Sequence, residues 1–293
     1  MSEITAALVK TLRERSGAAM MDCKRALVAS NGDIEIAMEA MRKAGQAKAD
    51  KKADRIVAEG IIAIKRSADG KSALMADINC ETDFVARDDN FQQFADLLVA
   101  TALTHGIHDA DSVLAAPLAN GETIDEARRA LITKVGENVQ VRRLIAMESF
   151  GTVGTYIHGG RIGVLVNLSV DNEALAKDIA MHIAATNPVV INPTDVPAEL
   201  VAKESDIFAA QAATSGKPAD IIEKMVTGRI KKYLDEVSLL GQAFVKDADT
   251  TVGQLLTKHG AKVLSFQRFA VGEGIEKKVD NFVEEVMAQA RNA

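Results

Sequence analysis

The chain repeats a two-strand pattern at a spacing that changes partway along, and this restricts the fold more than any other feature of the sequence. Residues 60–80, GIIAIKRSADGKSALMADINC, hold two β-rich runs around Asp69-Gly70, a residue pair that closes hairpins. Residues 154–170, GTYIHGGRIGVLVNLSV, repeat the design around Gly159-Gly160. Placing Gly70 on Gly160 sets a spacing of 90, which puts Ile78 on Leu168 and Cys80 on Val170. A helical pattern follows each pair, through Phe91, Phe94, Leu97 and Leu98 in the first copy and Leu175, Ile179 and Ile183 in the second. Further on, LITKVG (131–136) matches LLTKHG (255–260) at a spacing of 124, and each leads into a strand-like run, VQVRRLIAM or VLSFQRFAV. Spacings of 90 and 124 differ by 34 residues, so the second copy carries a net insertion of that size.

Residues 188–237 supply the insertion. Pro188, Pro193 and Pro197 break the chain, and two helical runs then flank Ser215-Gly216-Lys217-Pro218. Leu200, Ile207, Ile222, Met225 and Tyr233 suit an antiparallel helical hairpin, a projecting element able to pair two copies or support another surface. Ahead of the repeat, residues 1–45 predict three short helices. The first carries Ile4, Leu8 and Leu12 and ends at Ser16-Gly17; the second carries Met20, Cys23, Leu27 and Val28 and ends at Asn31-Gly32. Asp33 caps the third, which carries Ile36, Met38 and Met41. AGQAKADKKADR (44–55) reads as a helical or flexible tether rather than core. After Gly274 an amphipathic helix is predicted from Ile275 to Ala290.

The expected fold class is α+β. Its parts are a helical module and tether (1–55), a first sheet-plus-helix subdomain (56–149), a second (150–187 and 238–274), the inserted hairpin (188–237) and a C-terminal helical module (275–293).

Composition narrows the function. Net charge is −6 and aromatics make up 4% with no Trp, which disfavours a basic nucleic-acid face and the usual base-stacking platforms. No run of about 18 apolar residues crosses a membrane, and MSEITAALVK lacks the pattern of a signal peptide. Cys23 and Cys80 lie far apart and read as reduced thiols of a cytoplasmic protein. No GxxxxGK[ST] phosphate loop occurs, so neither direct nucleotide binding nor a cofactor is expected. His105, His108, His158, His182 and His259 are scattered. His105 and His108 are separated by Gly106, which suggests a loop rather than a metal-binding helix face.

NCETDFVAR (79–87) gathers a thiol, two carboxylates and a hydroxyl, and invites a catalytic reading. The repeat argues otherwise. Cys80 stands where the second copy has Val170, as a buried small hydrophobe would. Glu81, Thr82 and Asp83 correspond to Asp171, Asn172 and Glu173, so both sets read as helix starts, with Thr82 or Asp83 able to cap. Val85 and Leu175 agree and fill the core side. Phe84 matches Ala174 and is the surplus group: a core residue in a different local packing, or an exposed apolar plug for a pocket on another protein. Two other functions fit the same features. One is a binding adaptor built on the helical module; the other is an enzyme with Cys80 as nucleophile, although no paired His lies nearby in sequence.

Four segments resemble the bacterial elongation factor Ts family, the nucleotide-exchange factors of the translational GTPase elongation factor Tu. LRERSGAAMMDCKRAL (12–27) departs from the family pattern at Ser16, Ala19 and Arg25, where Thr, Gly and Lys are usual. DINCETDFVARDD (77–89) has Asp77 and Asp88 in place of Glu and Asn. HGGRIGVL (158–165) and GEGIEKK (272–278) complete the likeness, which spans essentially the whole chain.

The resemblance implies a UBA-like helical module, no active site of the chain's own, and elongation factor Tu as partner. Asp83 and Phe84, flanked by Thr82 and Val85, would intrude into the partner's GTPase domain, with Phe84 displacing groups that hold its Mg²⁺. Met20 and Met21 would pack on another helix of that domain. His158, Gly159, Arg161, Ile162 and Gly163 would face a different domain, and the segment of Gly274 and Ile275 would return to the GTPase domain.

Overall fold

A computed structural model describes residues 4–214 and 217–276. Ser215-Gly216 of the predicted hairpin turn, and the predicted C-terminal helix from residue 277 onward, lie outside the described residues.

The N-terminal module is α1 (Ala6–Ser16), α2 (Met20–Ala29) and α3 (Ile34–Asp50). Thr5 caps α1 by accepting the Leu8 N–H, and the Asp33 carboxylate caps α3 by accepting the Ile36 N–H at 3.0 Å. Leu12, Cys23 and Leu27 are fully buried between the three helices. Two expectations need correction. Val28 and Ile36 carry the helical period but point to solvent, because a three-helix module this small buries only one stripe per helix. The tether is also less free than its composition suggests: α3 runs on through Asp50, and Ala49 is buried in the core of the first copy.

The first copy follows as β1 (Glu59–Arg66), β2 (Ser72–Cys80), α4 (Asp83–Ala86), α5 (Asp89–His105), α6 (Ala110–Leu114), α7 (Ile124–Val135) and β3 (Val139–Glu148). The second is β4 (Thr152–His158), β5 (Ile162–Leu168) and α8 (Glu173–Thr186), interrupted by α9 (Ala198–Ala213) and α10 (Ala219–Val237). It resumes with a short ribbon, β6 (Ala243–Phe244) and β7 (Asp247–Thr251), then α11 (Val252–Lys258) and β8 (Val263–Ala270).

Both sheets are antiparallel and three-stranded, in the orders β1-β2-β3 and β4-β5-β8. The duplication extends to their irregularities. The β2–β3 ladder slips between Asp77 and Ile78, and the β5–β8 ladder slips between Asn167 and Leu168, again 90 residues on. The third strands match less simply. Ile78 pairs with Val141 and Leu168 with Val263, a spacing of 122 rather than the 124 that relates Gly136 to Gly260. In ladder register the second copy is therefore two residues shorter between Gly260 and the strand position that matches Val141.

Each sheet packs its outer face on its own helices. Phe91, Leu98, Ile124 and Ile132 cover the first, and Ile179, Ile183, Val252 and Leu256 cover the second. The inner faces meet through Ile62, Met75, Val153, Leu165 and Phe269. Hydrogen bonds across this seam are reciprocal: the Ile62 N–H donates to Gly160 O at 2.8 Å, and the Val153 N–H donates to Gly70 O at 2.9 Å. The result is a helix–sheet–sheet–helix stack, with the N-terminal module docked through α3 on α7, where Arg42 pairs with Glu126 at 2.7 Å. The inserted α9 and α10 pack on each other, and of their side chains only Ala212 is buried.

Candidate functional site

The NCETDFVAR segment leaves the end of β2 and forms α4, a single helical turn. Thr82 is its N-cap, and its hydroxyl oxygen accepts the Val85 N–H at 3.4 Å. Asn172 caps α8 at the matching position of the second copy, accepting the Leu175 N–H at 3.1 Å. The two helix starts thus have the same construction, as the repeat implies. Val85 and Ala86 enter the core of the first copy, and Arg87 closes the turn. Phe84 is left on the outside, 83% exposed, where Ala174 of the second copy is also exposed. Of the two readings that the sequence left open for this ring, the structure takes the exposed one.

The turn is held from below. A Glu137 carboxylate oxygen accepts the Thr82 hydroxyl proton at 2.6 Å, and the other accepts the Thr82 and Glu81 N–H groups at 3.0 and 3.1 Å. Glu81 in return accepts the Asn138 N–H at 2.6 Å. Asn138 is buried, and its amide donates to Ala53 O and Arg55 O at 3.2 and 3.1 Å, which fastens the end of the tether to the same spot. Sequence reasoning missed Glu137 and Asn138. The matched runs VQVRRLIAM and VLSFQRFAV keep the spacing of 124, so the two-residue difference that sets these residues apart shows only in the ladder register.

Cys80 is fully buried behind the turn, and its thiol donates to Thr82 O at 3.1 Å. Burial, with the Glu137 and Glu59 carboxylates nearby, pushes that thiol up to about 12. A sulfur held protonated in this way is no nucleophile at neutral pH, so the geometry speaks against the enzyme reading. Asp83 sits beside Phe84 and pairs with Arg87 at 3.0 Å on the surface. Among the described residues no group of three His, Cys, Asp or Glu side chains is arranged to hold a metal ion, and no helix is long and apolar enough to cross a membrane.

The other residues singled out from the sequence fall at three further places. Met20 and Met21 open α2 and are 56% and 64% exposed, side by side on the N-terminal module. His158, Gly159 and Arg161 lie exposed on the β4–β5 turn, where the Tyr156 hydroxyl lies 3.2 Å from His158 Nδ1 and Arg161 pairs with Glu59. Ile162 is half-buried at the start of β5. Gly274 is exposed and Ile275 half-buried just past β8, where Arg142 donates to Glu273 O at 2.6 Å. Val85 and Gly163 are different: both are buried inside the chain, and they shape the surface rather than form it.

The family model described as Elongation factor TS matches residues 81–273, from the Phe84 turn to the end of the second sheet. The chain is 58% identical over 291 residues to the elongation factor Ts of Legionella pneumophila (strain Paris), covering 99% of this chain and 100% of that relative. It is 58% identical over 292 residues to the elongation factor Ts of Thioalkalivibrio sulfidiphilus (strain HL-EbGR7), covering 99% of each. With the elongation factor Ts of Francisella tularensis subsp. novicida (strain U112) it shares 57% over 291 residues, covering 99% of this chain and all of the relative. On likeness of this extent, the chain belongs to the elongation factor Ts family of translation elongation factors.

Proposed function

We propose that the chain acts in the cytoplasm as a guanine-nucleotide exchange factor, binding elongation factor Tu and releasing its GDP without an active site of its own. The N-terminal module (1–55) and the second subdomain (150–187 and 238–274) hold the partner. The first subdomain (56–149) presents Phe84. Met20 and Met21, the turn from His158 to Ile162, and the segment of Gly274 and Ile275 are the remaining contacts, and Asp83 accompanies the ring. The observation that carries this reading is Phe84 itself: an aromatic ring 83% exposed on a one-turn helix whose start is tied down by a carboxylate.

A bound nucleotide leaves a GTPase slowly because phosphate oxygens, Mg²⁺ and loop amides form one clamp. A protein that binds the opened clamp better than the closed one shifts the balance toward release. Burying a Phe side chain contributes about 1.5–3 kcal/mol, and about 1.4 kcal/mol off a barrier is tenfold in rate. The ring therefore accounts for roughly one to two decades of acceleration, and the other contacts supply the rest. Linkage makes the effect reciprocal, so the nucleotide-free complex is tight and the ternary complex short-lived.

The test is release of labelled GDP from elongation factor Tu at saturating concentrations of the Phe84→Ala variant. A loss of about tenfold to a hundredfold, with an unchanged melting temperature, is expected from the exposed position of the ring. Near-normal release would remove the ring from the mechanism.

A further inference from the structure

We propose that Glu137 is the positioning residue for Phe84: it does not touch the partner, but fixes the direction in which the ring is offered. This rests on the exchange reading above and adds a residue to it.

A helix of four residues has too few internal hydrogen bonds to hold its own shape. Something outside it must fix the backbone, and the ring cannot, because Phe84 is exposed. Val85 and Ala86 anchor the far side of the turn in the core. The near side is fixed by one carboxylate that accepts three donors, the Thr82 hydroxyl and the Thr82 and Glu81 N–H groups. Hydrogen bonds to an ionised acceptor are the strong ones, and three converging on one side chain leave the entering backbone little freedom. The Glu81 side chain reaches back to the Asn138 N–H, so the two segments grip each other from both directions.

The internal repeat supplies a control. The second copy has the same cap, Asn172, and the same buried Leu175, but Ala174 in place of the ring. In ladder register it also lacks two residues at the place of Glu137 and Asn138. There the Ser169 N–H donates to Lys262 O and the Lys262 N–H donates to Ser169 Oγ, both at 2.9 Å. Among the described residues, no carboxylate accepts from the 171–172 backbone. The clamp occurs in the copy that offers an aromatic ring and not in the copy that offers a methyl group. A ring that must push into a neighbour transmits its burial energy only through a backbone that does not yield, since a loose turn would lose that energy in being ordered.

The test is a double-mutant cycle on labelled GDP release from elongation factor Tu, run over a range of factor concentrations. Glu137→Ala should lower the saturating rate by about tenfold, the scale of one charge-assisted hydrogen bond, while the half-saturating concentration moves less than about threefold. Glu137→Gln keeps one acceptor oxygen and should fall between, and it serves in place of Glu137→Ala if that variant folds poorly. In a Phe84→Ala background the Glu137 substitutions should cost nothing further, because they act through the ring. A wild-type saturating rate for both Glu137 variants, or the same loss with and without Phe84, would overturn the proposal while leaving the exchange function standing. A Phe84→Ala variant with normal release would overturn the wedge and this inference together.

Discussion

Gly163 lies directly over Ile62: a methyl group on its Cα would overlap Ile62 Cγ2 and sit 2.8 Å from Met75 Sδ. The two sheets meet at this point, and the absence of a side chain on β5 is what lets them approach. Gly163 was singled out from the sequence as part of a contact surface, and the structure places it in the seam instead.

Gly163→Ala should therefore destabilise the chain by about 1–3 kcal/mol, the usual cost of forcing a methyl group into a packed core. Ile62→Ala in the same chain should recover part of that loss by removing the overlapped Cγ2. Urea unfolding of the two single variants and the double variant measures both effects. Additive losses would mean that the methyl group is accommodated elsewhere.

His182 gives the fold a dependence on pH. Its ring is fully buried, with Nε2–H donating to Gln242 Oε1 at 2.8 Å while Nδ1 accepts the Val245 N–H at 3.3 Å. Burial lowers its pKa below the usual histidine value, against a smaller upward pull from Gln242. The unfolded chain then binds the extra proton more readily than the folded one. Stability contributed by the neutral ring is complete above the unfolded value of about 6.5 and falls as pH drops below it, by at most about 1.4 kcal/mol per pH unit. The other four histidines are exposed. Denaturant unfolding between pH 7 and 5.5 should show this slope in the wild-type chain, and His182→Gln should flatten it.

Asp77 is fully buried in β2, where Arg143 donates to one of its oxygens at 2.7 and 3.0 Å and Arg142 at 3.4 Å. Burial pushes its carboxyl up, and the two guanidinium groups pull the other way without cancelling the shift. Arg143 also stacks over Phe269 and donates to Ala270 O at 3.0 Å, joining the first sheet to the end of the second. Arg143→Ala should cost about 3 kcal/mol, because it strands a buried charge. Asp77→Asn, which copies the Asn167 of the second repeat, should cost less in the Arg143→Ala background than in the wild-type chain. Equal costs in both backgrounds would show that the pair is uncoupled.

Most of the architecture was legible because it was written twice. A turn pair, an apolar alternation and a capped helix start are local patterns, and their recurrence at a spacing of 90 turned weak signals into one consistent α+β reading. The ladder slips at Asp77 and Asn167 bear this out down to a single residue. The exposure of Phe84 was legible only in part: its mismatch with Ala174 marked it as surplus, but either burial or exposure satisfied the sequence. Val28 and Ile36 were read into apolar stripes that the fold leaves in solvent, because periodicity identifies a stripe without saying what covers it.

By itself, the sequence determined the strand and helix pattern, the duplication, the inserted segment and the capped turn that carries Phe84, since each depends on residues within a few positions of one another. Tertiary structure alone decided that the ring faces outward, that Gly163 lies in a seam, and that Glu137 reaches Thr82 from 55 residues away. Those outcomes depend on which surfaces the fold brings together, and closing so long a loop leaves no local pattern to read.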